Sequence, residues 1–210
     1  MLKIENAETF GWEAAIRGMR SPKNSWDKSD SCWSSPNENG TDKPMYIIGE
    51  NDLKLMHTLA AAGQDHGKFL RMIHVQLDVT APLYWHKEAD QYKVGTVTDS
   101  CSTMHKIHAK EFTLDDFSHE HLYSPLHDLK PTVDLLNVYR ERFLDTKDKE
   151  DWWQLIQLLP SSYNQRRTWD LNYAVLRNIY HARKGHRLDE WKTLLDWIET
   201  LPYAKELICG

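Results

Sequence analysis

A run of small hydroxyl-bearing residues in the middle of the chain is the first candidate for chemistry. It extends from Gly95 to Thr103, inside the longer stretch from Asp78 to Met104, and follows an ionisable run that begins at His86. Such residues rarely serve packing, and binding sites are often built from polar loops that a rigid element delivers. We therefore expect this stretch to be a flexible binding segment that follows a strand.

A second candidate is the region from Thr168 to Arg183, whose spacing predicts a helix. At about 100° per residue, Asn172 and Arg183 fall on one stripe of that helix, at the two ends of an apolar middle. A buried guanidinium is costly unless it is paired, so Arg183 should meet a carboxylate, a phosphate or a set of carbonyls. The alternative is a structural salt bridge to Asp189 or Glu190.

Other familiar motifs are weak or absent. The chain has eleven histidines, among them His105-x-x-His108 and His119-x-His121, but neither pair has identifiable partner ligands, so no metal site is expected. There is no G-x-G-x-x-G or P-loop for phosphates and no G-x-S-x-G elbow. The three cysteines are widely spaced, which argues against a disulfide framework.

Composition predicts one globular domain spanning residues 1–210. The chain is 40 % hydrophobic with nine Trp, and its formal charge of -5 leaves no overall basic field for nucleic acid. It has no apolar run of about 18 residues for a membrane and no signal-peptide core at its N-terminus. We expect a cytoplasmic protein with no membrane partner.

The elements that must position these residues suggest an α+β domain, with a mixed β-sheet flanked by helices and a helical C-terminal half. Alternation predicts a strand from Phe69 to Val79, and residues 21–44 suggest a long loop or lid. Helices are predicted over residues 8–20, 51–62, 132–144, 150–159, 162–184 and 188–201, with Asn51-Asp52 as the cap of the second.

The chain resembles the flavin-dependent thymidylate synthases, also called thymidylate synthase complementing proteins. In that family a Leu-Pro step precedes a helix carrying Asn, a second Asn six residues later and an Arg five further on, and this chain has Leu159-Pro160, Asn172, Asn178 and Arg183. The family signature R-H-R-x-x-S-x-N-E-x-S-x-R falls, without a gap, on Gln91–Thr103. A shift by one position would align Ser102 instead of Cys101 with its second Ser.

The resemblance implies a homotetramer with active sites between subunits, in which FAD mediates one-carbon transfer from methylenetetrahydrofolate to dUMP with NADPH as reductant. It implies that Arg183 contacts the substrate pyrimidine as the catalytic residue. The implied cofactor-binding residues are His66, Asn172 and Asn178. The implied substrate-binding residues are Lys93, Thr96, Asp99, Ser100, Cys101 and Ser102.

The departures from the family pattern support an alternative. Positions where the family has Arg or His carry uncharged residues here: Gln91, Tyr92, Thr103, Ile156 and Ala174. Each lost phosphate contact removes a charge-assisted hydrogen bond of roughly 1.5 to 3 kcal/mol. The alternative is therefore a non-catalytic relative of this fold that binds a different nucleotide-like ligand or a protein partner.

Overall fold

The structure, a computed structural model, describes residues 1–34 and 45–210, and the α+β class is confirmed. The chain forms two compact units, each assembled from three segments. Unit 1 comprises Met1–Asn6, Leu77–Lys93 and Thr98–Trp169, and unit 2 comprises Ala7–Gln76, Val94–Val97 and Asp170–Gly210. The expectation that residues 1–210 form one domain remains a prediction.

The strands form a four-stranded sheet and a two-stranded sheet. Their bounds are Lys3–Phe10 (β1), Cys32–Trp33 (β2), Tyr46–Ile47 (β3), His74–Pro82 (β4), Val97–Ser100 (β5) and Asn164–Asn172 (β6). The larger sheet has the order β1-β4-β6-β5, with β5 at one edge. Strands β2 and β3 pair antiparallel, with Cys32 opposite Ile47.

Strand β4 follows the predicted alternation, because Val75, Leu77 and Val79 are buried on one face. On the other face Asp78 accepts a hydrogen bond from Thr168 of β6 at 2.6 Å. Two residues earlier in β4, the Gln76 amide donates to Asp170 of β6, which lies two residues later. The partners move in opposite directions, so the sheet is antiparallel where a mixed sheet was expected.

Eight α-helices lie within the described residues. Their bounds are Trp12–Arg20 (α1), Glu50–Ala61 (α2), Leu83–Ala89 (α3), Pro125–Asp128 (α4), Lys130–Thr146 (α5), Lys149–Leu158 (α6), Tyr173–Arg183 (α7) and Asp189–Ile198 (α8). Shorter turns include a 3-10 helix, Gly67–Met72, and a C-terminal π-helical turn, Lys205–Cys209. The helices predicted over 132–144, 150–159 and 188–201 are confirmed as α5, α6 and α8.

Three predicted elements are wrong at their boundaries. The helix expected over 162–184 is strand β6 up to Asn172 and helix α7 only after it. The strand expected from Phe69 begins at His74, because the preceding residues form the 3-10 helix. The helix expected from Glu8 begins at Trp12, after Gly11, where a Cβ would lie 2.0 Å from the carbonyl oxygen of Met72.

The N-terminus of α2 is also organised differently from the prediction. The carboxylate of Asp30 accepts hydrogen bonds from the backbone amides of Asn51 and Asp52. Asp52 itself is fully buried and accepts a hydrogen bond from the Arg20 guanidinium at 2.6 Å. The Asp52 carboxylate also accepts hydrogen bonds from the hydroxyls of Ser29 and Ser31. These bonds fix part of the predicted loop against helix α2. Residues 35–44 of that loop or lid lie outside the described residues.

Each unit has its own apolar core. In unit 1, Phe112, Phe117, Leu136 and Leu155 belong to one buried cluster, to which α5 and α6 contribute. In unit 2, the largest fully buried side chains include those of Ile16 in α1, Met56 in α2, Tyr173 in α7 and Trp191 in α8. Helix α7 therefore has one apolar face in the core of unit 2 and leaves its other residues for a site.

Candidate functional site

Unit 2 contains a cleft of about 550 Å³, here called the larger cleft. Its walls come from the end of α2, the segment that follows it, the turn at Val94-Gly95, and α7. Six lining residues are small: Ala60, Ala61, Gly63, Gly67, Gly95 and Ala174. Six others are polar or cationic: Gln64, Arg71, Asn172, Arg177, Asn178 and His181. Small side chains let a ligand approach the backbone closely, while the polar groups can fix its orientation.

Asn172, one residue of this polar set, is held at the start of α7. Its side-chain oxygen accepts a hydrogen bond from the backbone amide of Val175 at 3.1 Å, which caps the helix. Its side-chain nitrogen donates to the carbonyl oxygen of Gly95 at 3.4 Å. Gly95 has a φ of +82°, and a Cβ there would lie 3.2 Å from that nitrogen. A glycine at this turn therefore preserves the position of the Asn172 amide.

The remaining cleft residues of α7 share one helix face. Ala174, Arg177, Asn178 and His181 are spaced i, i+3, i+4 and i+7, which brings their side chains to the same side. Arg177 Nη1 donates to the carbonyl oxygen of Leu207 at 2.9 Å. His181 Nε2 lies 3.0 Å from the carbonyl oxygen of Ile208, so Nε2 must carry the proton. The C-terminal π-helical turn thus orients two cleft side chains.

The larger cleft has an unbalanced charge. Arg71 and Arg177 line it, and no Asp or Glu is among its lining residues in the part of the chain that the structure describes. Within residues 1–34 and 45–210, Arg71 has no hydrogen-bond or ion-pair partner. This contrasts with the whole chain, whose formal charge is -5. An anionic ligand is the natural counterpart of such a cleft.

Arg183, the predicted catalytic residue, lies in a different cavity. This smaller cavity has a volume of about 280 Å³ and is lined by the end of α7, the following turn and α8. Its ionisable lining residues are Arg183, Lys184, His186, Asp189, Lys192, Asp196 and Glu199. The Arg183 guanidinium carbon lies 4.6 Å from the centre of the Trp191 ring, a cation–π contact. Of the predicted set, therefore, Asn172 and Asn178 share one cavity and Arg183 lines another.

Two further predicted residues of unit 2 flank the larger cleft without lining it. His66 is exposed and precedes the 3-10 helix, between Gln64 and Gly67, which do line the cleft. Thr96 follows Gly95, and its hydroxyl is shielded from solvent without a hydrogen-bond partner among the described residues. These positions keep both residues close in sequence to the walls of the cleft.

The remaining predicted substrate-binding residues belong to unit 1. Lys93 is exposed, and Asp99 and Ser100 lie in β5, whose four residues are all exposed. The Cys101 backbone amide donates to the carbonyl oxygen of Arg166, and the Ser102 hydroxyl accepts from the backbone amide of His105. The run expected to be a flexible segment thus contains an edge strand.

Unit 1 also contains a buried polar residue, His86, with which the ionisable run of the sequence begins. His86 is fully buried, and its Nε2 lies 2.9 Å from the carbonyl oxygen of Gln165. Burial lowers the pKa of His86 to about 4, so the ring is neutral at pH 7. It packs beside the stacked rings of Trp85 and Trp169, whose centroids are 5.6 Å apart. This arrangement is typical of a packed core histidine.

Sequence reasoning missed Gln64, Arg71, Arg177 and His181 as lining residues of the larger cleft. The spacing of Arg177 and His181 from Ala174 was a usable signal, whereas Arg71 had none because its segment was expected to be a strand. Among the described residues no group of three His, Cys, Asp or Glu side chains could hold a metal ion. Within the same ranges no helix has the length and apolarity needed to cross a membrane.

No protein-family model and no curated protein matches the chain. The solved structures that are similar to it include the following three. Thymidylate Synthase X (ThyX) from Helicobacter pylori with FAD and dUMP has a TM-score of 0.71 at 13% identity, covering 98% of this chain and 97% of that one. A second structure of the H. pylori flavin-dependent thymidylate synthase, complexed with FAD and dUMP, has a TM-score of 0.66 at 15% identity with the same coverage.

The third similar structure is the UMP/dUMP methylase PolB from Streptomyces cacaoi bound with 5-Br dUMP. Its TM-score is 0.62 at 12% identity, and the similarity covers 100% of this chain and 94% of that one. At these identities the similarity concerns the fold. The chain has a ThyX-like fold, the class to which these nucleotide-binding proteins belong.

Proposed function

We propose that the larger cleft binds a flavin nucleotide, FAD, and that the protein transfers a one-carbon unit to a pyrimidine deoxynucleotide such as dUMP. The observation that carries this proposal is the meeting of Asn172 and Asn178 in one cleft that holds two arginines and no carboxylate among its described lining residues. The similar H. pylori structures hold FAD and dUMP, which supports the same ligand classes here.

The residues of the larger cleft fit a flavin nucleotide. Its volume of about 550 Å³ lies within the range of about 300 to 1,000 Å³ that is usual for small-molecule sites. The amides of Asn178 and Gln64 are exposed and can each donate and accept, as the edge of a flavin ring requires. When bound, flavin would supply the redox chemistry, while the chain orients it and provides counter-charge.

The substrate side of the proposal rests on Arg183, with Lys93, Thr96, Asp99, Ser100, Cys101 and Ser102 as substrate-binding residues. NADPH and methylenetetrahydrofolate would be the other reactants, and a homotetramer with sites between subunits would be the active form. In such an assembly Arg183 need not line the same cavity as Asn178 of its own chain. Its role is to polarise the pyrimidine through charge-assisted hydrogen bonds.

One observation favours a second candidate, a non-catalytic protein that binds a nucleotide-like ligand or a protein partner. Arg183 is packed on Trp191 and shares its cavity with three carboxylates, those of Asp189, Asp196 and Glu199. A guanidinium in these surroundings can be purely structural. Under this candidate the larger cleft would bind its ligand, and no methyl transfer would follow.

Titration of the purified protein with FAD tests the proposal, with absorbance and calorimetry as readouts. We expect saturable binding and a perturbed flavin spectrum. Asn178→Ala should lower the affinity for FAD about fivefold, since one hydrogen bond contributes about 1 kcal/mol. Because Asn178 is exposed, this change should leave the free energy of unfolding unaltered.

The matched control for that titration is Asn51→Ala, an exposed asparagine near the start of α2 that does not line the cleft. It should leave FAD affinity unchanged. If the protein leaves the FAD spectrum unperturbed at saturating concentration and gives no heat of binding, the flavin proposal is ruled out. Methyl transfer to dUMP in the complete reaction mixture would then separate the enzyme from the non-catalytic candidate.

A further inference from the structure

The cationic side chains of the larger cleft lie on elements other than the segment where the family resemblance expects them. In the signature segment, Gln91, Tyr92 and Thr103 stand where the resemblance calls for charged residues. The arginines of the cleft instead come from the 3-10 helix Gly67–Met72 and from α7. The positive charge near the proposed cofactor is therefore supplied by a different pair, Arg71 and Arg177.

We propose that Arg71 and Arg177 form a phosphate-binding subsite that holds the phosphate groups of the ligand in the larger cleft. The assignment rests on the proposed flavin nucleotide for the ligand's identity, but its chemistry is that of any phosphate ester or diphosphate. A guanidinium has five N–H donors in a planar fork that matches two phosphate oxygens.

The two arginines contribute in different ways. Arg177 is pre-positioned, because one of its nitrogens is fixed on the carbonyl oxygen of Leu207 and its other donors remain for a ligand. The Arg71 side chain is exposed and has no partner among the described residues, so ligand binding breaks no ion pair within them. One pre-oriented guanidinium and one available guanidinium make a site that an anion can complete.

Among the described lining residues of the larger cleft, no carboxylate competes with a phosphate for these arginines. Its other polar lining residues are the amides of Gln64, Asn172 and Asn178 and the imidazole of His181. None of these side chains is an anion at neutral pH. A phosphate in this cleft would therefore meet donors and neutral groups, and no anionic side chain, among the lining residues that the structure describes.

Calorimetric titrations with four probes test the subsite: FAD, FMN, riboflavin and inorganic pyrophosphate. Arg71→Ala and Arg177→Ala should each lower the affinity for FAD and for FMN about tenfold or more, because each removes a charge-assisted hydrogen bond. The affinity for riboflavin, which has no phosphate, should change less than about twofold. Arg71→Lys should restore part of the affinity, since a lysine keeps the charge and loses the fork.

Lys68→Ala is the matched control, because Lys68 is exposed on the same 3-10 helix and does not line the cleft. Arg177→Ala also removes the hydrogen bond to Leu207 and can therefore affect folding. Arg71→Ala removes no side-chain bond within the described residues, so it decides the outcome if Arg177→Ala folds poorly. Unchanged FAD affinity in Arg71→Ala, or an equal loss for riboflavin, overturns the subsite.

The pyrophosphate titration separates this proposal from the flavin proposal. Suppose that no flavin binds but pyrophosphate does, and that Arg71→Ala lowers the affinity for pyrophosphate about tenfold. The subsite then stands and the flavin assignment fails. If flavins bind, but the arginine variants lose no more affinity for FAD and FMN than for riboflavin, the flavin assignment stands and the subsite fails. A protein that binds neither pyrophosphate nor any phosphate-bearing flavin overturns the subsite as well.

Discussion

Two cavities lie along the same helix, α7, and differ in how their charges are balanced. The larger cleft has two arginines and no carboxylate among its described lining residues. The smaller cavity has Arg183, Lys184 and Lys192 together with three carboxylates, those of Asp189, Asp196 and Glu199. A cavity whose cations have internal counter-charges needs no ligand to satisfy them, whereas the larger cleft gains most from an anion.

Asn172 and Arg183, which the sequence pattern places on one helical stripe, line different cavities. Asn172 caps α7 and Arg183 is its last residue, so the two are about 16 Å apart along the axis at 1.5 Å per residue. Asn178 is only about 9 Å from Asn172 by the same rise. A shared helical stripe is therefore weaker evidence for a shared cavity than a short axial separation.

A carboxylate introduced into the larger cleft should have the largest effect. Ala174→Glu places an acid three residues before Arg177 on the face that lines the cleft, and it would pair with that guanidinium. We expect FAD affinity to fall on the order of 100-fold, equivalent to about 3 kcal/mol. Ala182→Glu, at an exposed position of α7 that lines neither cavity, is the control and should change FAD affinity little.

An alanine at Gly95 should have an intermediate effect. Both Gly95 and Gly185 have positive φ angles, so an alanine at either should cost about 1 to 2 kcal/mol of unfolding free energy. Only at Gly95 would the new Cβ press on the Asn172 amide, so FAD affinity should fall about tenfold there. Gly185 lines the smaller cavity and has open space around it. Equal loss of FAD affinity in Gly95→Ala and Gly185→Ala would contradict the comparison.

Arg183→Ala should have the smallest effect on the flavin. Loss of its stacking on Trp191 should reduce the free energy of unfolding by about 0.5 to 1 kcal/mol, measured by chemical denaturation. FAD affinity should stay within about twofold, and dUMP affinity should fall about tenfold if Arg183 contacts the pyrimidine. Lys192→Ala, at an exposed residue of the same cavity, is the control. Unchanged dUMP affinity would instead favour the non-catalytic candidate.

Much of the fold could be predicted because its signals are local. The alternation in β4 and the helical spacing of α5, α6 and α8 are strong periodic patterns. Strand β6 was missed because polar residues such as Arg166, Arg167 and Thr168 interrupt its apolar positions, and the helical pattern of α7 was extended back over it. The edge strand β5 was missed because all four of its residues are exposed.

The candidate site was predictable only in part. Asn172 and Asn178 lie six residues apart across a helix start, and they line one cleft. Arg71 could not be foreseen, because its role depends on a 3-10 helix whose sequence resembles the start of a strand. The absence of carboxylates from the described lining of the larger cleft is a tertiary property that no spacing of residues along the chain encodes.

Hydrogen exchange of the backbone amides with and without FAD tests most directly which cavity takes the flavin. Protection should increase in residues 60–71, at Gly95 and in residues 172–181, which form the larger cleft. Exchange in residues 184–199, which line the smaller cavity, should be unchanged. Protection confined to residues 184–199, with none at the larger cleft, would contradict the account.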